Sequence, residues 1–282
     1  MVQANGLEFG YLSDGPADGP LALCLHGFPD SAYGWRHLVP ALAEQGYRVA
    51  APFMRGYAPT AVPADGAYQT GALAADAIAL HEALGGGPDA VLIGHDWGAA
   101  ATYGAAGRAP ERWRRVVAMS VPPVPALLSA FFQYDQLKRS FYIFLFQTPL
   151  GEGALNRDFV AGLWRDWSLR PSSAEDVDHV MDCLATPERR AAAIGYYRAM
   201  LNPALHVEAY AAEQTATEVM GELPILYMHG EADQALGIGV AGDPLPYLPA
   251  GSRFEVIKDA GHFLQLDQPE EVNRRILDWL LP

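Results

Sequence analysis

A mostly parallel β-sheet flanked by helices, with a helical segment inserted late in the chain, is the architecture this sequence predicts. Three observations carry that expectation. Short apolar runs bounded by turn residues, such as Leu21 to Leu25, Tyr47 to Ala51 and Ala90 to Ile93, alternate with stretches of helical spacing, as strands buried on both faces do. Gly94-His95-Asp96-Trp97-Gly98 then joins one such strand to an alanine-rich helix through a sharp turn whose small flanking residues spare the backbone a Cβ clash. From about Val121 to Gly221 the strand-helix rhythm stops and aromatic-rich helical segments take over. The expected division is therefore a core domain of residues 1–120 and 222–282 and a helical cap of residues 121–221.

Taken in order, Glu8 to Leu12 and Leu21 to Leu25 read as strands joined by the Gly/Pro/Asp turn Asp14 to Pro20. Tyr33 to Gln45 has helical spacing and stops at Gly46, before the strand Tyr47 to Ala51. Leu73 to Leu84 is an alanine-rich helix closed by Gly85-Gly86-Gly87, ahead of the strand that ends in the sharp turn. Val116 to Ser120 gives one more strand before the inserted helices, which include Phe131-Phe132, Phe141 to Phe146 and Trp164 to Trp167. Pro224 to His229 and Arg253 to Ile257 return to strand, with Leu236 to Gly251 as a Pro/Gly-rich loop. The last helix starts at Asp267 or Gln268, has Pro269 and two acids in its first turn, and runs to Leu281.

Composition narrows the function classes. A chain of 282 residues that is 50% hydrophobic can bury one large core or a core with an inserted domain, and a formal net charge of −14 argues against nucleic acid or an anionic membrane as partner. Cys24 and Cys183 are too few and too far apart for a disulfide framework or a zinc site, and neither a metal nor a cofactor is called for. The first arginine is Arg36 and the run Leu21 to Leu25 is too short for a signal sequence or membrane span, so the expectation is a soluble, cytoplasmic monomer or homodimer.

Asp96 at the apex of the turn fixes the expected chemistry. A serine attacking an sp³ carbon leaves an ether that water cannot easily remove, whereas a carboxylate leaves an ester, which water can. Asp96 thus suits opening of an epoxide or displacement of a halide. Asp233 follows the strand Ile225 to Met228 and His262 follows the strand Phe254 to Ile257, so both fall at the same sheet edge as Asp96, in the order nucleophile, acid, histidine. His37, His81, His95, His179, His206 and His229 lack that context and are read as structural or exposed, and His26 as a brace for its loop.

These motifs resemble the α/β-hydrolase superfamily and, within it, the soluble epoxide hydrolases, through Gly94-His95-Asp96-Trp97-Gly98, His26-Gly27-Phe28-Pro29, Arg55-Gly56-Tyr57, Gly261-His262 and Asp267-Gln268-Pro269-Glu270-Glu271-Val272. The resemblance implies an oxyanion hole built from the N–H groups of Phe28 and Trp97, both also lining the substrate site. Tyr142, four residues before Phe146-Gln147-x-Pro149, and Tyr197, opening Tyr197-Arg198-x-Met200, stand in contexts similar to the paired cap tyrosines that hold and protonate the ring oxygen in that family. A phenol, protonated at neutral pH, can supply the proton an alkoxide needs on leaving. The implied partners are a small apolar epoxide and water. One departure is Phe53-Met54 before Arg55, where family members usually carry an acid, so that Arg55 must pair elsewhere or stay solvated.

Two other readings use the same residues. Haloalkane dehalogenases resemble this chain in the Asp nucleophile and the Trp after it, but Phe28 occupies the place of their halide-binding Asn, and Trp97 stands where fluoroacetate dehalogenase has an Arg. A non-catalytic ligand-binding protein on the same fold is the alternative from a different class, and the presence of Asp96, Asp233 and His262 speaks against it.

Overall fold

Nine strands, β1 (Val2–Ala4), β2 (Leu7–Phe9), β3 (Tyr11–Asp14), β4 (Leu21–Leu25), β5 (Arg48–Pro52), β6 (Val91–His95), β7 (Arg115–Met119), β8 (Ile225–Gly230) and β9 (Arg253–Ile257), are found in the computed structural model, which describes residues 1–171 and 173–280. Seven of them form one sheet in the order β3-β5-β4-β6-β7-β8-β9, parallel throughout except for the edge strand β3. Every residue of β4, β6 and β8 is buried, as their continuous apolar runs require. Because the strands run in parallel, Phe28, Asp96, Asp233 and His262 gather beyond their carboxyl ends.

The expected strand Glu8 to Leu12 is instead two strands that break at Gly10. There the backbone leaves the ladder: Gly10 N–H donates to Thr60 Oγ1 at 3.0 Å and its carbonyl accepts from Phe53 N–H at 2.9 Å. β1 and β2 form a separate hairpin around Asn5-Gly6, both with positive φ, the conformation a tight primed turn needs. The expected helix Tyr33 to Gln45 is a 3₁₀ turn, Ala32–Trp35, followed by the helix Leu38–Glu44. Pro40 has no N–H to give an interior turn, so the α-helix restarts where Pro40 falls in its first turn. The loop Leu236 to Gly251 holds two short helical turns, Ile238–Ala241 and Leu245–Tyr247. The last helix is Pro269–Leu280, preceded by the single turn Leu264–Asp267, and Leu281 lies outside the described residues.

Among the described residues the chain between β7 and β8 is helical, and none of the helices is long and apolar enough to cross a membrane. The last helix of this segment, Ala211–Glu218, packs against the core helices Thr70–Ala83 and Trp97–Arg108, where Gly71 and Gly104 permit the close approach.

Arg55 finds its partner in Asp76. Its guanidinium, fully buried, makes a two-point contact with the carboxylate at 2.6 Å for each bond and also donates to the carbonyls of Ala67 and Ala72. A buried pair of this kind is expensive to break from one side, because the survivor keeps its charge without its counterion. Asp76→Ala is expected to lower stability by about 3–5 kcal/mol, read from chemical denaturation, and Arg55→Met combined with Asp76→Leu to recover much of that loss.

Candidate active site

The turn that carries Asp96 is held by close backbone packing. Asp96 sits at φ 53, ψ −119 between β6 and the helix Trp97–Arg108, a conformation that costs a non-glycine residue about 1–3 kcal/mol. A Cβ on Gly98 would lie 2.0 Å from the Leu25 carbonyl oxygen, so no side chain fits there. Asp96 N–H bonds to the Met119 carbonyl at 3.1 Å, which pins the apex to the neighbouring strand.

The two carboxylate oxygens of Asp96 meet different surroundings. Oδ1 accepts from the Phe28 N–H at 2.6 Å, while Oδ2 lies 3.5 Å from His262 Nε2. A Cβ on Gly27 would stand 2.2 Å from Oδ1 and 2.5 Å from the Trp97 nitrogen, so a glycine here keeps that recess open. His26 braces the recess: its Nε2 accepts from Met54 N–H at 3.0 Å, its Nδ1 lies 2.9 Å from the Gly27 carbonyl, and burial lowers its pKa to about 4, which keeps it neutral.

Asp233 and His262 form a buried pair, Oδ2 to Nδ1, at 2.9 Å. The other oxygen of Asp233 accepts from the N–H groups of Ala235 at 2.7 Å and Leu236 at 3.0 Å, which fixes the carboxylate against rotation. Burial alone would raise the Asp233 pKa, but the imidazoles of His262 and His229 and the Leu236 N–H outweigh it and hold the carboxyl below its ordinary value. Burial likewise disfavours the charged His262, yet Asp233 and, next, Asp96 outweigh it and raise the imidazole above its ordinary value. The ring of His262 is thus oriented by Asp233 and tied electrostatically to the charge on Asp96.

Tyr142, on the helix Phe141–Phe146, and Tyr197, on the helix Pro187–Leu201, face Asp96 from the inserted segment. Their rings lie 5.4 Å apart at 83°, and both line, with Asp96 and Trp97, a largely apolar cavity of about 310 Å³. Burial raises both phenols above their ordinary value, with Asp96 adding to the effect on Tyr142 and Tyr142 and Asp96 to that on Tyr197, so both keep their protons. The neighbouring Tyr196 points the other way and donates to the Arg55 carbonyl at 2.8 Å, which separates the two adjacent tyrosines by environment. Phe28 enters the site through its N–H only: its ring backs the two tyrosines, 6.2 Å from Tyr142 and 5.3 Å from Tyr197, and does not line the cavity, where the sequence reading places it.

The structure therefore brings Phe28, Asp96, Trp97, Tyr142, Tyr197, Asp233 and His262 to one place. Residues to which the sequence assigns no catalytic role support them. The His262 carbonyl accepts from Ser120 Oγ at 2.7 Å and lies 2.8 Å from His95 Nε2, so His95, lowered to about pKa 3 by burial, is buried and structural. His262 N–H donates to the carbonyl of Trp167 at 2.8 Å. Asp267 joins the same two segments, accepting from Ser168 Oγ at 2.6 Å, Leu169 N–H at 3.1 Å and Gly261 N–H at 2.7 Å. An acid shortly after Gly261-His262 was visible in the sequence; its partners across about a hundred residues were not. Among the other histidines, His229 is buried with Nε2 at 2.8 Å from the Leu236 carbonyl, His81 and His206 lie by the carbonyls of Gly87 and Ala199, His179 stacks on Tyr33, and His37 is exposed.

Residues 20–269 match the family model described as the alpha/beta hydrolase fold. Epoxide hydrolase A of Mycobacterium tuberculosis is 30% identical over 99% of this chain and 96% of its own length, and the AB hydrolase superfamily protein YfhM of Bacillus subtilis is likewise 30% identical over the same shares. Among solved structures, a putative epoxide hydrolase from Klebsiella pneumoniae superposes with a TM-score of 0.86 at 25% identity, covering 99% of this chain and 97% of that one. Epoxide Hydrolase A from Mycobacterium thermoresistibile gives a TM-score of 0.80 at 28% identity over the same shares. With its elbow, its acid and histidine past successive strands and these relatives along its whole length, the chain belongs to the epoxide hydrolase family of the α/β-hydrolase superfamily.

Proposed function

We propose that this protein hydrolyses small apolar epoxides to vicinal diols through a covalent ester on Asp96, with residues 121–221 acting as the cap over the reaction. One juxtaposition carries the reading: a carboxylate with one oxygen held by a backbone N–H and the other beside His262, on an apolar cavity that two buried phenols also line. Oδ2 of Asp96 attacks a ring carbon, the ring C–O bond breaks, and the alkoxide takes a proton from Tyr142 or Tyr197. Water, deprotonated by His262 Nε2, then adds to Cγ of the ester, and the charge gathers on Oδ1, facing the N–H groups of Phe28 and Trp97. Collapse expels the diol oxygen, which takes the proton from His262, and the proton left on the Asp96 carboxyl returns to the tyrosinate.

Ester formation also removes the negative charge of Asp96. That charge helps to keep His262 protonated, so its loss favours neutral imidazole at the step that needs a base.

Formation of phenylethanediol from styrene oxide tests the proposal directly; absence of any diol from this and other apolar epoxides would end it. Tyr142→Phe and Tyr197→Phe are each expected to slow ester formation, and the double variant to slow it by on the order of 10²-fold or more in single-turnover experiments. A double variant that opens the ring at the parental rate would remove the phenols from the mechanism.

Halide displacement is the second reading, because the Trp97 indole Nε1, buried and without a hydrogen bond of ordinary geometry, could face a departing halide. The apolar ring of Phe28 offers no second donor, and two phenols opposite Asp96 have no work in that reaction, so the epoxide reading is preferred. Halide release from 1,2-dibromoethane at a rate comparable to diol formation would reverse the preference.

A further inference from the structure

The reacting centre sits at one end of its cavity. Trp97, Ala100 and Tyr103 line that cavity along a single face of the helix Trp97–Arg108, so it extends from Asp96 by about 10 Å at the α-helical rise. On the far side of Asp96 the space is filled. Phe28, Phe146 and Trp167 are all buried and none of them lines the cavity; they back the two tyrosines, with Phe146 5.4 Å from Tyr197 and Trp167 5.1 Å from Tyr142. Trp167 also stands 5.3 Å from His262 and lines a separate, charged cleft of about 520 Å³ together with Lys138, Arg139 and Phe141. One residue thus adjoins both the reacting centre and a second open space.

Resting on the epoxide reading above, we propose that the substrates are terminal epoxides, carrying one extended apolar substituent on a single ring carbon, and that Trp167 is the wall that excludes a second substituent. With Asp96 at the closed end, a terminal epoxide can lie with its arm along the Trp97–Tyr103 face and its unsubstituted carbon toward the wall. A trans-disubstituted epoxide must place one arm where Phe146 and Trp167 are packed, and close-packed interiors accommodate added carbons poorly.

Two isomers isolate this effect, because they share composition and differ only in how the carbons are divided about the ring. Wild-type kcat/KM is expected to favour 1,2-epoxyoctane over trans-4,5-epoxyoctane by about 100-fold or more. Trp167→Ala joins the two spaces, and the preference is expected to fall at least tenfold. Intrinsic reactivity cancels between the two proteins, and a general disturbance of His262 acts on both isomers, so the change in the ratio reports the wall. The main-chain carbonyl that receives His262 N–H is retained in this variant. Should Trp167→Ala fail the circular dichroism check of folding, Ala100→Phe decides, since it blocks the opposite arm and must depress 1,2-epoxyoctane relative to 1,2-epoxypropane by at least tenfold. Wild type accepting both octane isomers within a few-fold, a folded Trp167→Ala with an unchanged ratio, or Ala100→Phe with unaltered chain-length preference would each overturn the proposal. Diol from neither isomer nor from styrene oxide would instead strike the epoxide reading on which it rests.

Discussion

Asp96→Ala is expected to lose steady-state diol formation by on the order of 10⁴-fold or more while remaining folded. The size follows from the proposed role of the carboxylate, which supplies the atom that makes the new bond to carbon; of the two carboxylates among the described residues lining the cavity, Asp96 and Glu218, Asp96 is the one beside His262. With Asp96 gone, only direct attack by water on the ring, without the ester route, would remain to His262 and the phenols. Stability should behave in the opposite way. The backbone at φ 53 strains any residue with a Cβ, so Asp96→Gly is expected to melt no lower than the parent although it is equally inactive. A glycine variant that unfolds, or an alanine variant that retains a tenth of the parental rate, would show that Asp96 serves the fold and not the reaction.

His262→Gln is expected to stop after the first half-reaction. Attack by the Asp96 carboxylate needs no base, but hydrolysis of the ester needs water stripped of a proton, so a reactive epoxide should leave a covalent adduct visible by intact mass and mapped to Asp96. Turnover should fall by on the order of 10⁴-fold. The same division gives a pH signature. A base must be deprotonated to act, so ester hydrolysis in single-turnover experiments should accelerate as pH rises through the His262 value, while ring opening should not follow that limb. Since Asp233 raises the imidazole, Asp233→Asn should move the rising limb to lower pH and lower its plateau. A limb that moved upward would contradict the arrangement of charges described here.

Much of this site was legible because it is written in local chemistry. The elbow is compressed into Gly94 to Gly98, and Asp233 and His262 each follow a strand of unmistakable apolar pattern, so order alone brings them to one edge. Elements went astray where the deciding contact is distant in sequence. Gly10 breaks a strand because Thr60 and Phe53 capture its backbone, and the expected pattern of alternation cannot reveal them. The sequence requires Arg55 to pair elsewhere or stay solvated but does not point to Asp76, which lies on the following helix; only folding turns that helix face toward the guanidinium. Ser120, Trp167 and Asp267 gave no signal of their roles, since each acts through a backbone group of the histidine loop that has no counterpart in the local sequence. The cavity is likewise a product of packing between the helices that follow β7 and those flanking the sheet, not of any single motif.

The covalent role of Asp96 is tested most directly by following oxygen through one turnover. With enzyme in excess over epoxide in ¹⁸O-labelled water, the account requires an unlabelled diol, because the new hydroxyl oxygen comes from Oδ2 of Asp96. The label should appear instead in the peptide that contains Asp96, introduced when water attacks Cγ of the ester. Label in the diol during that first turnover, with none in the Asp96 peptide, would mean that water attacks the epoxide itself, and the ester on Asp96 would have to be given up.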